Sequence, residues 1–175
     1  MGLVEATETV EAPREDVFYF TDWCYDDPKW ARFISKAWIV RLPGPDGLGM
    51  ISHYVGKVMG RELEWEGELV RWRRSEFWAR KALSGPFARM KMQMEMRFET
   101  VGTGRTKVTS RIDYRVPYPL AGWLIDKLYM HRQARKMVHD VVEGIKKAAM
   151  EGRIQPLQVQ LEKRKVDHPG YLKAS

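Results

Sequence analysis

Lys127 and His131 are four residues apart, which on an α-helix sets them one turn apart on a single face. The other residues of that face are apolar: Leu120, Trp123, Leu124, Ala134, Val138, Val141, Val142, Ile145 and Ala149. A cation and a titratable imidazole inside an apolar stripe can hold the carboxylate or phosphate head of a ligand. They can also move a proton near neutral pH. The plainer alternative is a lysine that reaches outward along the helix and a histidine hydrogen-bonded within a core. Tyr114 is the third polar group of interest. It shares the apolar parity of its strand, so its hydroxyl needs a partner or a ligand. If the chain is an enzyme, His131 and Tyr114 are the expected acid and base.

Other chemistries find little support. The histidines His53, His131, His139 and His168 lack metal-ligand spacing, so no metal is expected, and nothing calls for a cofactor. There is no Gly-x-Ser-x-Gly elbow. Gly102-Thr103-Gly104 falls between strands rather than before a helix, so it is no phosphate loop. Cys24 is the sole cysteine, which rules out an internal disulfide and fits a reducing, cytoplasmic setting. A net charge of +7 favours anionic partners. The basic residues are interleaved with acids, as in Arg61-Glu62-Leu63-Glu64, and form no nucleic-acid motif. An anionic ligand head or membrane surface accounts for the charge as well as a nucleic acid would. No apolar run reaches the roughly 20 residues of a membrane span, and Met1 to Glu5 lacks a secretory layout.

The elements that must position these groups begin with Met90 to Glu99, where large apolar side chains alternate with polar ones. Strand geometry sends Met90, Met92, Met94, Met96 and Phe98 to one face. Methionine suits irregular space and partners of varied shape, so this face is either a loosely specified core or a cavity wall. Gly102 and Gly104 permit a tight hairpin into Thr106 to Val116. Folding about Thr103 sets Glu99 opposite Lys107 and Glu95 opposite Arg111. The inner face then pairs Phe98 with Val108, Met94 with Ile112 and Met92 with Tyr114.

Further strands are expected over Leu3 to Glu11, Ala37 to Leu42, Met50 to Met59, Glu62 to Trp72 and Glu76 to Leu83. In the fourth of these, Leu63, Trp65, Gly67 and Leu69 share a face, and Trp72 breaks the parity, predicting a bulge near Arg71. His53 and Tyr54 take opposite faces, and the pattern leaves open which one looks inward. Ala12-Pro13 opens a short helix with Glu15 and Asp16 in its first turn. Asp27-Pro28 marks a second, with Asp27 as its N-cap. Gly85-Pro86 reads as a turn. A long helix runs from about Leu120 to Met150. Residues 1–152 make one domain, and 153–175 form a basic polar tail in which Leu157 to Leu161 alternates like an edge strand.

This order of elements is similar to the START-like helix-grip superfamily, and within it to the polyketide cyclase/dehydrase and lipid-transport branch. The residues that carry the resemblance are Val10-Glu11-Ala12-Pro13-Arg14-Glu15-Asp16-Val17-Phe18 with Asp22, then Trp30, Gly102 to Thr109, and the closing helix. The resemblance implies an α+β fold, a seven-stranded antiparallel sheet curled around the long C-terminal helix over an apolar cavity. It implies binding or transport of a small hydrophobic ligand (lipid, polyketide or aromatic metabolite) against Trp30, Trp65, Met90, Met92, Met94, Met96, Phe98 and Ile112. Tyr114, Lys127 and His131 would meet its polar end. The alternatives are an aromatase/cyclase-type enzyme and a protein-interaction module acting through the tail. Trp30 stands where aromatase/cyclases have a pocket-lining tryptophan. The resemblance points to no residue as the arginine those enzymes use on substrate carbonyls.

Overall fold

The computed structural model describes residues 1–44, 46–116 and 129–167. The strands are β1 (Gly2–Val10), β2 (Ile34–Arg41), β3 (Ile51–Val58), β4 (Arg61–Arg73), β5 (Phe77–Ala82), β6 (Gln93–Thr100) and β7 (Thr106–Tyr114). They form one antiparallel seven-stranded sheet in the order β1-β7-β6-β5-β4-β3-β2. Between β1 and β2 lie helix α1 (Arg14–Asp22) and a 3-10 helix, Cys24–Lys29. A short α2 (Gly85–Arg89) precedes β6, α3 (His131–Met150) follows β7, and α4 (Leu157–Asp167) ends the described chain.

Period-two patterning explains the sheet. In β4, Trp65, Gly67 and Leu69 are buried, and the register shifts between Leu69 and Arg71 where Trp72 breaks the alternation. The β6–β7 hairpin pairs Glu99 with Lys107, Phe98 with Val108 and Met94 with Ile112, about a turn in which Gly102 and Gly104 have positive φ. Glu95 does stand opposite Arg111, yet its buried carboxylate binds Arg71 at 2.5 Å and Arg97 at 2.6 Å instead. Arg111 turns to Asp113 on its own strand.

The long helix follows its expected stripe where it is described: Ala134, Val138, Val141, Val142 and Ile145 are buried and face β1 and β7. At Gly144 a β-carbon would lie 1.8 Å from the carbonyl oxygen of Trp30. Only glycine lets α3 press so closely on that segment. Leu120, Trp123, Leu124 and Lys127 lie outside the described residues.

Four local expectations need correction. Gly85-Pro86 opens helix α2 rather than a bare turn, and Lys91 with φ 48° ends the passage into β6. The methionine strand therefore starts at Gln93, leaving Met90 half-buried at the end of α2. The helix assigned to Asp27 as its cap begins earlier, at Cys24, because the Asp27 carboxylate is engaged elsewhere by Arg80. Leu157 to Leu161 is helical, not an edge strand. Arg164 of the same helix buries itself against α1, where its guanidinium stacks 5.0 Å from Tyr19 and 4.8 Å from Trp23.

Candidate functional site

Between the concave face of the sheet, the 3-10 helix and α3 lies a cavity with about 80 Å³ in which the centre of a water molecule can move. A shell one water radius deep around a compact space of that size brings it to roughly 280 Å³ of molecular volume. Both figures lie below the ~300–1,000 Å³ usual for small-molecule sites. Room exists for one or two fused rings, not for a long acyl chain.

Its apolar walls come from predictable positions. β4 contributes Trp65, whose ring stacks on Tyr54 at 5.4 Å and meets the edge of Phe87 at 5.1 Å. Met92 enters from just before β6, Met94 from β6, Ile112 from β7, Trp78 from β5 and Met137 from α3. Trp30 closes the end under Gly144. Met96 and Phe98 point to the same face but are wholly packed, Phe98 against Phe18 of α1 at 5.4 Å. The methionine row is thus half wall and half core, divided where α1 covers it.

The polar end is a cluster of buried groups. Arg80 of β5 donates from Nη1 to Asp27 Oδ2 at 2.7 Å and to the Tyr54 hydroxyl at 3.0 Å. Its Nη2 donates to the main-chain carbonyl of Asp22, and the guanidinium lies 4.5 Å from the Trp78 ring. Asp27 is 1% exposed, Tyr54 4% and Arg80 8%. Burial pushes the Asp27 carboxyl up to about 7, although the Arg80 charge and its hydrogen bond pull the other way. Burial likewise raises the Tyr54 hydroxyl, so it stays protonated. Cys24 behind the cluster is fully buried and its thiol rises to about 12, chiefly through desolvation, which makes it a packing residue rather than a nucleophile.

Three polar atoms of cavity-lining residues have no hydrogen-bond partner among the described residues: Asp27 Oδ1, Trp30 Nε1 and Arg80 Nε. Buried polar atoms are nearly always paired, so such a group marks a place where something polar can bind.

The sequence-derived candidates divide accordingly. Trp30, Trp65, Met92, Met94 and Ile112 line the cavity; Met90, Met96, Phe98, Tyr114 and His131 do not. His131 is exposed at the first turn of α3: it shares the face of Ala134 and Val138, but the buried part of that stripe begins only at Ala134. Tyr114 is buried at the sheet edge against Gly2, where a β-carbon would come within 2.2 Å of its ring. The open question of β3 is answered too. Tyr54 faces inward, and His53 lies on the outer side, stacked 4.4 Å from Trp38 and 3.3 Å from Glu64.

Sequence reasoning missed Arg80 and gave Asp27 the wrong task. One signal was available: in Phe77-Trp78-Ala79-Arg80 the arginine shares the parity of a tryptophan, so it projects to the inner face. Among the described residues no group of acids, histidines and cysteine is placed to hold a metal ion. Nor is any described helix long and apolar enough to cross a membrane.

No protein-family profile matches the sequence, and neither does any curated protein. Solved structures do match the fold. A protein from Thermus thermophilus superposes with TM-score 0.72 at 19% identity, covering 86% of this chain and 99% of its own. A START superfamily protein from Mycobacterium smegmatis gives TM-score 0.64 at 17% identity, covering 87% and 96%. The Zhui aromatase/cyclase from Streptomyces sp. R1128 gives TM-score 0.59 at 21% identity, covering 97% and 98%. A match over 97% of the chain must take in most of the segment after Gly152, including α4.

Proposed function

With a START-like helix-grip fold as the premise, we propose that this protein binds a compact hydrophobic ligand, a polyketide-derived or other aromatic metabolite, in the cavity between the sheet and α3. The observation that carries the reading is an apolar hollow with one polar end, where Asp27 Oδ1 and Trp30 Nε1 lack partners among the described residues. Binding is driven by apolar burial at roughly 25 cal/mol per Å², and the polar end sets orientation. The cavity's size supports a ring compound over a long-chain lipid. Native mass spectrometry of the untagged protein tests this. A retained compound of one or two rings is expected. Empty protein from several hosts, with no response of Trp30, Trp65 or Trp78 fluorescence to aromatic probes, would refute it.

A second reading, an aromatase/cyclase-type enzyme, is favoured by one specific feature. Burial raises the Asp27 carboxyl to about 7 in an apolar-walled pocket beside a fixed guanidinium, which suits a general base with a neighbouring group to steady charge on a carbonyl oxygen. The fold match to an aromatase/cyclase over nearly the whole chain supports the same reading. The acid–base role proposed for His131 and Tyr114 then passes to Asp27. Asp27→Asn separates the two readings: unchanged turnover of a poly-β-ketone substrate by this variant removes Asp27 as base.

A further inference from the structure

We propose that the polar end of the cavity takes a neutral hydroxyl group, a phenol or enol carried on a flat apolar ring system, and rejects carboxylate and phosphate heads. The inference rests on the cavity being a ligand site, and adds which chemistry that site reads.

Charge comes first. Above about pH 7 Asp27 is ionised and forms a buried ion pair with Arg80 at 2.7 Å, so there the end of the cavity carries no spare positive charge. An entering anion would stand near the Asp27 carboxylate, whose Oδ1 has no hydrogen-bond partner among the described residues. Anion recognition by arginine relies on two parallel N–H groups of its fork. Here Nη1 already serves Asp27 and Tyr54, and Nη2 serves the Asp22 carbonyl. Three of the five Arg80 N–H groups are thus engaged, and Nε has no partner among the described residues.

Hydrogen-bond complementarity comes second. The unpartnered set is one acceptor, Asp27 Oδ1, and two donors, Trp30 Nε1 and Arg80 Nε. A hydroxyl group gives one hydrogen and accepts on oxygen, as a water would in the same place. Unlike a water, it brings a ring to fill the space between Trp65, Met92 and Met94. An ether can only accept and leaves Asp27 Oδ1 bare.

Isothermal titration calorimetry at about pH 8, where Asp27 is ionised, decides the matter with four probes of one ring system: 2-naphthol, 2-methoxynaphthalene, 2-naphthoate and naphthalene. We expect 2-naphthol to bind roughly tenfold or more tightly than the ether or the carboxylate, as one hydrogen bond to a charged acceptor implies. Trp30→Phe should weaken 2-naphthol severalfold and leave naphthalene nearly unchanged, which separates loss of the Nε1 donor from loss of wall. Equal affinities for all four probes would overturn the proposal while the cavity stands as a ligand site. So would tightest binding of 2-naphthoate. Failure of all four, naphthalene included, would take down the cavity reading and this one with it.

Discussion

Arg80 Nη1 stands 2.7 Å from Asp27 Oδ2, and both side chains are shut away from water although 53 residues separate them in sequence. The pair ties β5 to the 3-10 helix and leaves Asp27, a residue of the cavity wall, with its Oδ1 unpartnered among the described residues. Stability and recognition therefore draw on the same two groups.

Arg80→Met removes the cation and also strips donors from Tyr54 and from the Asp22 carbonyl. Breaking a buried pair from one side costs about 3–5 kcal/mol, because the remaining charge has no compensation. Asp27→Asn in the same background should cost much less than it does alone, with a coupling of at least about 1 kcal/mol. Urea unfolding of the four proteins measures that cycle. Strict additivity would show the two residues to be energetically independent.

The folded protein should lose stability as pH rises towards neutrality, through Asp27. Its carboxyl is raised from 3.8 to about 7 by burial, so between those values the folded state keeps a proton that the unfolded chain has released. The contribution is fully present below 3.8 and is gone once pH passes the folded value. At 1.36 kcal/mol per unit the change amounts to about 4 kcal/mol at most. Asp27→Asn does not titrate, so the variant should gain on the wild type by up to that amount between about pH 4.5 and about pH 8. Thermal unfolding at the two pH values checks it; a gap that stays constant would mean that Asp27 ionises normally in the fold.

The same pair shows where sequence reasoning reaches and where it stops. The β6–β7 register was legible because charge pairs and apolar pairs agree on one alignment, and both partners lie within a single hairpin. The parity break at Trp72 announced the bulge at Leu69 and Arg71 for the same local reason. Asp27 and Arg80 meet only after the three strands between them, β2 to β4, have paired and β5 has joined the sheet. Near a proline an aspartate reads as a cap, and beside Lys81 an arginine reads as surface. His131 misled in the opposite way: helical spacing fixes which residues share a face but not how far along the helix that face stays covered. In Leu157 to Leu161 the alternation fits a strand, and the deciding contact, Arg164 with Asp22, spans 142 residues.

Gly144 should tolerate no side chain. A β-carbon there would sit 1.8 Å from a main-chain oxygen, and backbone cannot swing aside as a flexible side chain would. Gly144→Ala improves helix propensity by about 1 kcal/mol, yet overpacking typically costs 1–3 kcal/mol or more. The clash is severe, so a net loss of about 2 kcal/mol is expected, along with displacement of Trp30 from the cavity wall. Chemical denaturation followed by tryptophan emission reads both effects. A variant more stable than wild type would mean that α3 and the Trp30 segment do not touch.

The segment after Gly152 should prove part of the fold and not a free arm. Arg164 is 1% exposed, pairs with the Asp22 carboxylate and the Tyr19 carbonyl, and lies over the Tyr19 and Trp23 rings. Nearby, Leu157 N–H donates to Asp16 Oδ1 at 2.8 Å, and Gln160 Nε2 to the Asp16 carbonyl at 3.0 Å. Asp22 is also the residue whose carbonyl Arg80 holds, so α4 braces the segment that carries Asp27. Arg164→Ala leaves Asp22 buried without its cation and should cost about 3 kcal/mol, a fall in Tm of roughly 6–12 °C for a chain of this size. Arg164→Lys keeps the charge but not the planar stacking, and should recover only part of the loss. Truncation after Gly152 should cost at least as much as Arg164→Ala and lower the affinity for 2-naphthol by loosening Asp27. If truncation instead leaves Tm and affinity untouched while abolishing capture of a protein partner, the tail is an interaction arm and the brace has no energetic weight.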